Sequence, residues 1–156
     1  MELLMKKIYG IRISDGRGNV LRPTLSDILE EINEDVSFNW CILFLDGTPN
    51  PGQGNFLIEC EKKINDSENG LFYSLEELKD LSGKFFQMFE TIVLGSYDIN
   101  VLHRYKEEKD MYTACDIAIE LIDCAFWEVY AKDRKIIKRL KEKFKEIEIL
   151  DPDLNT

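Results

Sequence analysis

The chain has 156 residues, 44% of them apolar and 32% charged, which is the size and composition of one folded domain. Its net charge of −10 argues against a nucleic-acid-binding protein, because phosphate contacts need a basic face. Four cysteines without a C-x-x-C pair and a single histidine exclude the usual zinc and disulfide patterns. We therefore expect buried free thiols, no metal and no cofactor.

Targeting and membrane segments are not expected. The N-terminal residues hold no apolar run long enough for a signal peptide, and no stretch approaches the roughly 20 apolar residues of a membrane span. The sequence predicts a soluble, cytoplasmic protein. It also predicts a single domain over residues 1–150, followed by a short polar tail over residues 151–156.

The first third of the chain alternates between strand and helix patterns. Residues 6–14 predict a strand, and residues 25–32 place apolar side chains at the i, i+3, i+4 and i+7 positions of a helix capped by Thr24. The apolar run 38–48 predicts a buried strand. Residues 56–64 have strand character after a Pro/Gly-rich break, so we expect these two segments to form a hairpin with a long loop.

The middle of the chain contains one clear helix. Ser74 and Glu77 have the spacing of a capping box, and residues 75–88 keep a helical period behind them. A strand is predicted over residues 90–97. Residues 98–114 have mixed polarity, which predicts a loop.

The C-terminal third gives the most regular pattern. Residues 116–123 alternate as a strand, Asp123 and Cys124 predict a corner, and residues 126–131 predict a second strand. Asp133 is expected to cap a helix whose other face is basic, and a closing strand follows at 146–150. This element order predicts an α+β fold: a mixed, mostly antiparallel sheet, about three helices and a C-terminal strand-strand-helix-strand unit.

Charge is distributed unevenly along the chain. Residues 132–145 carry a charge of +6 and the remainder −16, and residues 23–61 contain eight acids and no base. An acidic surface of this kind can attract and orient a basic protein partner, although acidic surfaces also serve solubility alone. The candidate partner-binding residues are Asp27, Glu30, Glu31, Glu34, Asp35, Asp46, Glu59, Glu61, Asp116 and Glu120.

Signatures of catalysis are weak. The chain contains no phosphate-binding G-x-x-x-x-G-K and no dinucleotide-binding glycine motif after a strand. Glu59 and Glu61 would share one face of the expected strand, which is the arrangement of a polar strand face as well as of an acid–base pair. A thiol enzyme that combines His103 with Cys115 or Cys124 is a weaker alternative. We therefore expect no enzyme activity.

The segment "DIAIELIDCAFWEVYAKDRKIIKRLKEKF" (116–144) resembles the C-terminal part of small acidic bacterial proteins, which include uncharacterised families and the immunity proteins of polymorphic toxin systems. The resemblance covers roughly the last 40 residues and transfers no functional residues. It implies a protein that works by occluding a toxin, often a basic nuclease, inside the producing cell.

Two functions follow as expectations. The first is a non-catalytic immunity or inhibitor protein that neutralises a basic toxin, possibly a nuclease, through its acidic surface. The alternative is a small-ligand-binding or regulatory domain with a pocket near Trp40, Trp127 and Tyr130. Two aromatics of the C-terminal segment, Trp127 and Tyr130, are more typical of sheet packing than of ligand stacking.

Overall fold

The computed structural model describes residues 7–17, 20–32 and 37–151. In chain order its elements are β1 (Tyr9–Ile13), β2 (Gly16–Arg17), β3 (Val20–Leu21), α1 (Leu25–Leu29), β4 (Asn39–Pro49), α2 (Gly54–Asp66), β5 (Leu71–Tyr73), α3 (Leu75–Gly83), β6 (Phe85–Ser96), a 3₁₀ turn (Ile99–Val101), α4 (Glu108–Ala114), β7 (Ile117–Ile122), β8 (Phe126–Ala131), α5 (Arg134–Lys143) and β9 (Ile147–Leu150). The predicted site residues Glu34 and Asp35 lie outside the described residues.

Seven strands form one sheet in the order β5-β4-β6-β7-β8-β1-β9, and every neighbouring pair runs antiparallel. Strands β2 and β3 form a separate ribbon. The helices pack on this sheet in a single α+β domain, which confirms the predicted fold class. The described part of the chain contains five α-helices, where the sequence predicts about three.

One face of the sheet, the helical face, is covered by α1, α2, α3 and α5. Side chains alternate along each strand, so every second strand residue points into this core. Its strand residues include Ile11, Ile13, Ile42, Leu45, Val93, Ile119, Trp127 and Val129, and its helix residues include Leu25, Ile28, Leu57, Ile64, Leu78, Leu81, Ile136 and Leu140. Each fully buried aliphatic side chain contributes about 1.5–3 kcal/mol, so most of the stability comes from this face.

The second face of the sheet is covered only in part. Residues 97–115 cross it and bury Leu102, Met111 and Tyr112 against the sheet. The Tyr112 ring stacks on Tyr130, with ring centroids 3.8 Å apart. Tyr130 in turn lies across Gly10, where an added Cβ would come within 2.8 Å of its ring. The other half of this face is not covered by residues 97–115, and its side chains lie at the surface of the protein.

Local capping signals in the sequence are confirmed. Thr24 and Asp27 form a capping box at the start of α1, and Ser74 and Glu77 form the box expected for α3. The Asp133 side chain accepts a backbone hydrogen bond at the start of α5. These side chains satisfy backbone N–H groups that the first helical turn leaves without partners.

The predicted strand over residues 56–64 is wrong, because this segment lies inside helix α2. Its apolar residues follow both periods at once. The helix buries Leu57, Cys60 and Ile64 and leaves Phe56 and Ile58 exposed. A strand would have buried the alternating set instead, and a short apolar run cannot distinguish the two by period alone.

Two further boundaries differ from the prediction. The helix predicted over residues 75–88 ends at Gly83, and β6 begins at Phe85. The segment 98–114 contains the 3₁₀ turn and α4 in place of a continuous loop. In α4 the buried residues are Met111 and Tyr112, so tertiary contact with the sheet stabilises a helix whose sequence shows little amphipathic pattern.

Candidate interaction surface

The predicted acidic residues in α1 and directly after it, Asp27, Glu30 and Glu31, have local structural roles. Asp27 completes the capping box at the start of the helix. Lys143 Nζ lies 3.3 Å from carboxylate oxygens of both Glu30 and Glu31, and it also donates to the Asp27 carbonyl at 2.8 Å. The Glu30 and Glu31 carboxylates and the Asp27 carbonyl therefore join the end of α1 to the end of α5, and these acids do not form an unpaired surface.

The predicted pair Glu59 and Glu61 does not share a strand face, because both residues lie on α2. Glu61 accepts a hydrogen bond from the Gly47 N–H at 3.2 Å. One turn further along, Asn65 accepts from the Leu45 N–H at 3.0 Å and donates to its carbonyl at 2.9 Å. Helix side chains thus satisfy the edge of β4 where β5 has ended, and Glu59 points to solvent.

Burial raises the pKa of Glu61, the neighbouring charge of Asp46 raises it further, and the hydrogen bond from Gly47 lowers it.

Asp116 has a different local role. Its carboxylate accepts from the Ser96 hydroxyl at 2.8 Å and from the Tyr97 N–H at 2.9 Å. It therefore anchors the start of the segment that covers the second face.

Asp46 and Glu120 are the two predicted site residues on the second face of the sheet. Asp46 lies directly opposite Glu90 in the β4–β6 pair, and Glu120 lies opposite Ile92 in the β6–β7 pair. Asp46 and Glu90 are both exposed. Neither forms an ion pair with another described residue.

The open half of the second face presents these acids beside apolar side chains. Alternation along the strands places them in two adjacent cross-strand rows, and the apolar members are all half-buried. We call this set the acidic–aromatic patch: Phe44, Asp46, Glu90, Ile92, Ile122 and Phe126.

A second row of charged residues, the carboxylate row, borders the patch. It runs across four strands and consists of Glu120, Glu128, Arg12 and Glu148, which are paired in register. Arg12 Nη2 lies 2.8 Å from Glu128, its Nη1 lies 3.2 Å from Glu148, and its guanidinium stacks over the Phe126 ring at 4.3 Å. One arginine therefore serves two carboxylates, and the row keeps a negative excess.

Glu120 is the buried end of this row, with 4% of its surface exposed. Burial raises its pKa to about 7, the hydrogen bond from the Tyr112 hydroxyl lowers it, and the charges of Glu108 and Glu128 raise it. The Tyr112 hydroxyl lies 2.9 Å from Glu120 and 3.1 Å from Glu108. Because a phenol carries one proton, it can donate to only one of these carboxylates at a time.

An open cleft of about 540 Å³ lies where α4 meets the carboxylate row. Arg12, Glu108, Tyr112 and Glu128 line it, whereas Glu120 does not. A carboxyl group with a pKa near neutrality could exchange protons with a substrate, but it would have to reach the substrate first. Glu120 is sealed beneath Tyr112, so the geometry favours binding over proton transfer at this place.

The geometry disfavours one form of the thiol-enzyme alternative, the pairing of His103 with Cys115. Burial raises the pKa of Cys115 to about 11, which disfavours the nucleophilic thiolate. The Cys115 thiol contacts the Val101 carbonyl at 3.6 Å, whereas His103 Nδ1 lies 2.8 Å from the Arg104 carbonyl. The four cysteines are free. Within the described ranges, no group of three or more His, Cys, Asp or Glu side chains could hold a metal ion.

The three aromatic residues expected beside a ligand pocket do not lie on one face of the sheet. Trp40 and Trp127 are buried in the core of the helical face, whereas Tyr130 belongs to the second face. Trp127 borders a small apolar pocket of about 170 Å³ beside Phe85 and Leu121. Sites for metabolite-sized ligands usually measure about 300–1,000 Å³, so this pocket is too small for one.

Sequence reasoning missed Glu90, Arg12 and Phe126. Each is unremarkable in its own segment, and only the pairing of β1, β6, β7 and β8 brings them beside Asp46 and Glu120. The alternation of Glu120 and Glu128 about the predicted corner at 123–124 was the one signal that could have placed two carboxylates side by side. In the structure Asp123 and Cys124 do form this turn, with φ of 52° and 48°.

Among the described helices, none is long and apolar enough to cross a membrane. Comparison with known proteins found no matching family model, no matching curated protein and no matching solved structure.

Proposed function

We propose that this protein is a non-catalytic binding protein that holds a basic protein partner against its acidic–aromatic patch. One observation carries the proposal: Asp46 and Glu90 lie directly opposite each other on neighbouring strands without a basic partner among the described residues. Like charges in this position destabilise a sheet. Their retention beside half-buried aromatic residues is explained if a partner supplies the missing positive charge.

The composition of the patch fits a protein partner. Interfaces combine an apolar, often aromatic centre with a polar rim. Here Phe44, Ile92, Ile122 and Phe126 form the centre, and the carboxylates surround it. A basic partner would be attracted by the rim and desolvated at the centre, which gives both a fast encounter and a slow release.

The partner class that we propose is a basic toxin domain, possibly a nuclease, for which the protein would act as an immunity protein. Carboxylates can occupy a nuclease cleft where substrate phosphates would otherwise lie. The resemblance of residues 116–144 to immunity proteins supports this class. The four free thiols fit a reducing compartment such as the cytoplasm.

The test compares charge reversals on the patch with a reversal elsewhere. Asp46→Lys and Glu90→Lys, made separately, each convert a like-charged cross-strand pair into an opposite-charged pair, so the fold should be stabilised. The wild-type protein and the variants are used to capture partners from the native host at low and high salt. We expect a basic protein, retained at one-to-one stoichiometry and released by salt, that both variants retain at least about tenfold more weakly.

Glu59→Lys is the matched control, because it makes the same charge change at an exposed position of α2. It should retain the partner as well as wild type. A partner that binds all three variants equally would contradict the proposed surface. If Glu30→Lys and Glu31→Lys abolish partner binding while the patch variants do not, the interface lies at the end of α1 and not on the patch.

A further inference from the structure

The two flanks of α5 differ in how their basic residues are paired. On one flank, Arg139 donates to the Glu31 carbonyl at 2.8 Å, and Lys143 contacts Glu30 and Glu31. On the other flank, Arg134, Lys138 and Lys141 follow one another at intervals of four and three residues, which places them along one face of the helix. These three form no ion pair within residues 7–17, 20–32 and 37–151.

This second flank borders a groove of about 530 Å³ between α5 and the adjacent ends of β1 and β9. Lys7 adds a fourth cation from the β1 side, and Asp151 contributes the acidic charge of the lining. We call this the basic groove. On a protein with a net charge of −10, four cations held around one groove define a local field opposite to that of the whole molecule.

One edge of β9, at the groove, pairs with no other strand among the described residues. Strand β9 is the last strand of the described sheet, and its pairing with β1 uses only one of its two edges. Ile149 of β9 is 57% exposed and lines the groove. An edge strand of this kind is a template for a further strand, because half of its N–H and C=O groups point away from the sheet.

From these two observations we infer that the basic groove binds an extended acidic peptide segment, which adds to the free edge of β9. Ile147 and Ile149 pair with Ile13 and Ile11, whose side chains lie on the helical face, so this face of an added strand would point toward α5. Every second residue of the segment would therefore meet Arg134, Lys138 and Lys141. This pairing predicts an alternating motif of acidic and apolar residues.

A peptide strand fits this groove better than a nucleic acid. A nucleic acid carries a negative charge at every nucleotide, and beyond four cations it would meet a surface with a strong negative excess. A short peptide needs only three or four cations, and its backbone uses the edge of β9. This inference does not depend on the proposed function, because the basic groove and the acidic–aromatic patch share no residue.

The experiment measures fluorescence anisotropy of a labelled, acetylated octapeptide of alternating Glu and Val, titrated with the whole protein. We expect saturable binding that weakens by at least about tenfold in the double variant Lys138→Glu/Lys141→Glu. Both lysines are exposed on α5, so the fold should be kept. The double variant Lys62→Glu/Lys63→Glu makes the same charge change on α2 and should bind like wild type, as should Asp46→Lys.

Two further probes separate strand addition from simple charge attraction. The same octapeptide, N-methylated at alternate residues, keeps its charges but cannot pair with an edge strand, and it should bind at least about tenfold more weakly. Equal binding of the methylated peptide would overturn edge pairing. Equal or tighter binding of a single-stranded RNA octamer, or no binding of the peptide at low salt, would overturn the assignment of the ligand.

Discussion

The two faces of the sheet are built from the same strands and have opposite roles. On the helical face, Trp127 is 1% exposed and its indole Nε1 donates to the Pro23 carbonyl at 2.8 Å. On the second face, the preceding residue Phe126 is half-buried and touched by Arg12. Adjacent residues of one strand thus enter a dry core and an open surface. Stability and recognition can therefore change independently here.

The largest expected effect comes from this adjacent pair. Trp127→Ala should lower the free energy of unfolding by about 3–5 kcal/mol, because it leaves a cavity in the core and removes the hydrogen bond to Pro23. Phe126→Ala should cost about 1 kcal/mol, because it removes one half-buried ring and its contact with Arg12. Urea unfolding of both variants measures the contrast. Equal losses would show that the second face is as much a core as the first.

The next effect concerns the boundary between the covered and open halves of the second face. The folded pKa of Glu120, about 7, lies above the ordinary value of a glutamate, so folding favours its protonated form. The stabilisation is complete below the unfolded pKa, near 4.5, and is lost as the pH rises through about 7. At about 1.4 kcal/mol per pKa unit, the loss between about pH 4.5 and about pH 7 is on the order of 3–4 kcal/mol.

Glu120→Gln should remove this loss, because an amide stays neutral while it keeps the contact with Tyr112. Thermal unfolding at pH 5 and pH 8 compares the two proteins: wild type should be less stable at pH 8, and the variant should show a smaller difference. Glu59→Gln, on exposed α2, is the control for removal of a carboxylate and should follow wild type. A variant with the full wild-type pH dependence would mean that another group is responsible.

Helix α2 also covers the edge of the sheet at β4, where the Asn65 side chain bonds to the strand backbone. A substitution of Asn65 tests how much this contact contributes to stability. Asn65→Ala removes two hydrogen bonds to the backbone of Leu45 on β4. The substitution leaves the N–H and C=O groups of Leu45 without partners, which should lower the free energy of unfolding by about 1–3 kcal/mol. Asn55→Ala, at an exposed position of the same helix, should be nearly neutral. Urea denaturation of both variants makes the comparison, and equal effects would show that water replaces the Asn65 amide without loss.

Sequence patterns predict the parts of this fold that depend on neighbours along the chain. The caps at Thr24, Ser74 and Asp133 are local hydrogen bonds within three residues, so residue type and spacing suffice to find them. The helical structure of α2 could not be predicted in this way, because its apolar residues fit the period of a strand as well as that of a helix. The buried set is chosen by contact with β4, which the segment itself does not encode.

The position of the acidic residues on the sheet surface was harder to predict from the sequence than the fold. Asp46 and Glu120 belong to segments 74 residues apart, and β6 joins them by pairing with both β4 and β7. Strand order is not a property of any one segment, so charge counts along the chain grouped Asp46 with Glu30 and Glu31. In the structure Glu30 and Glu31 directly follow α1, one of the helices that cover the opposite face, and both pair with Lys143.

The smallest expected effect on stability is the most informative for function. Asp46→Lys should raise the free energy of unfolding by about 0.2–1 kcal/mol, because it replaces a repulsion with Glu90 by an attraction. Differential scanning calorimetry at low and high salt measures this gain, which should shrink as salt screens the pair. Thr48→Lys, two residues along the same strand and also exposed, is the control for an added positive charge. If Asp46→Lys lowers stability where Thr48→Lys does not, Asp46 has a structural role and its charge does not indicate a partner. If Asp46→Lys raises stability and also weakens partner binding, the repulsion between Asp46 and Glu90 costs stability and these carboxylates serve recognition.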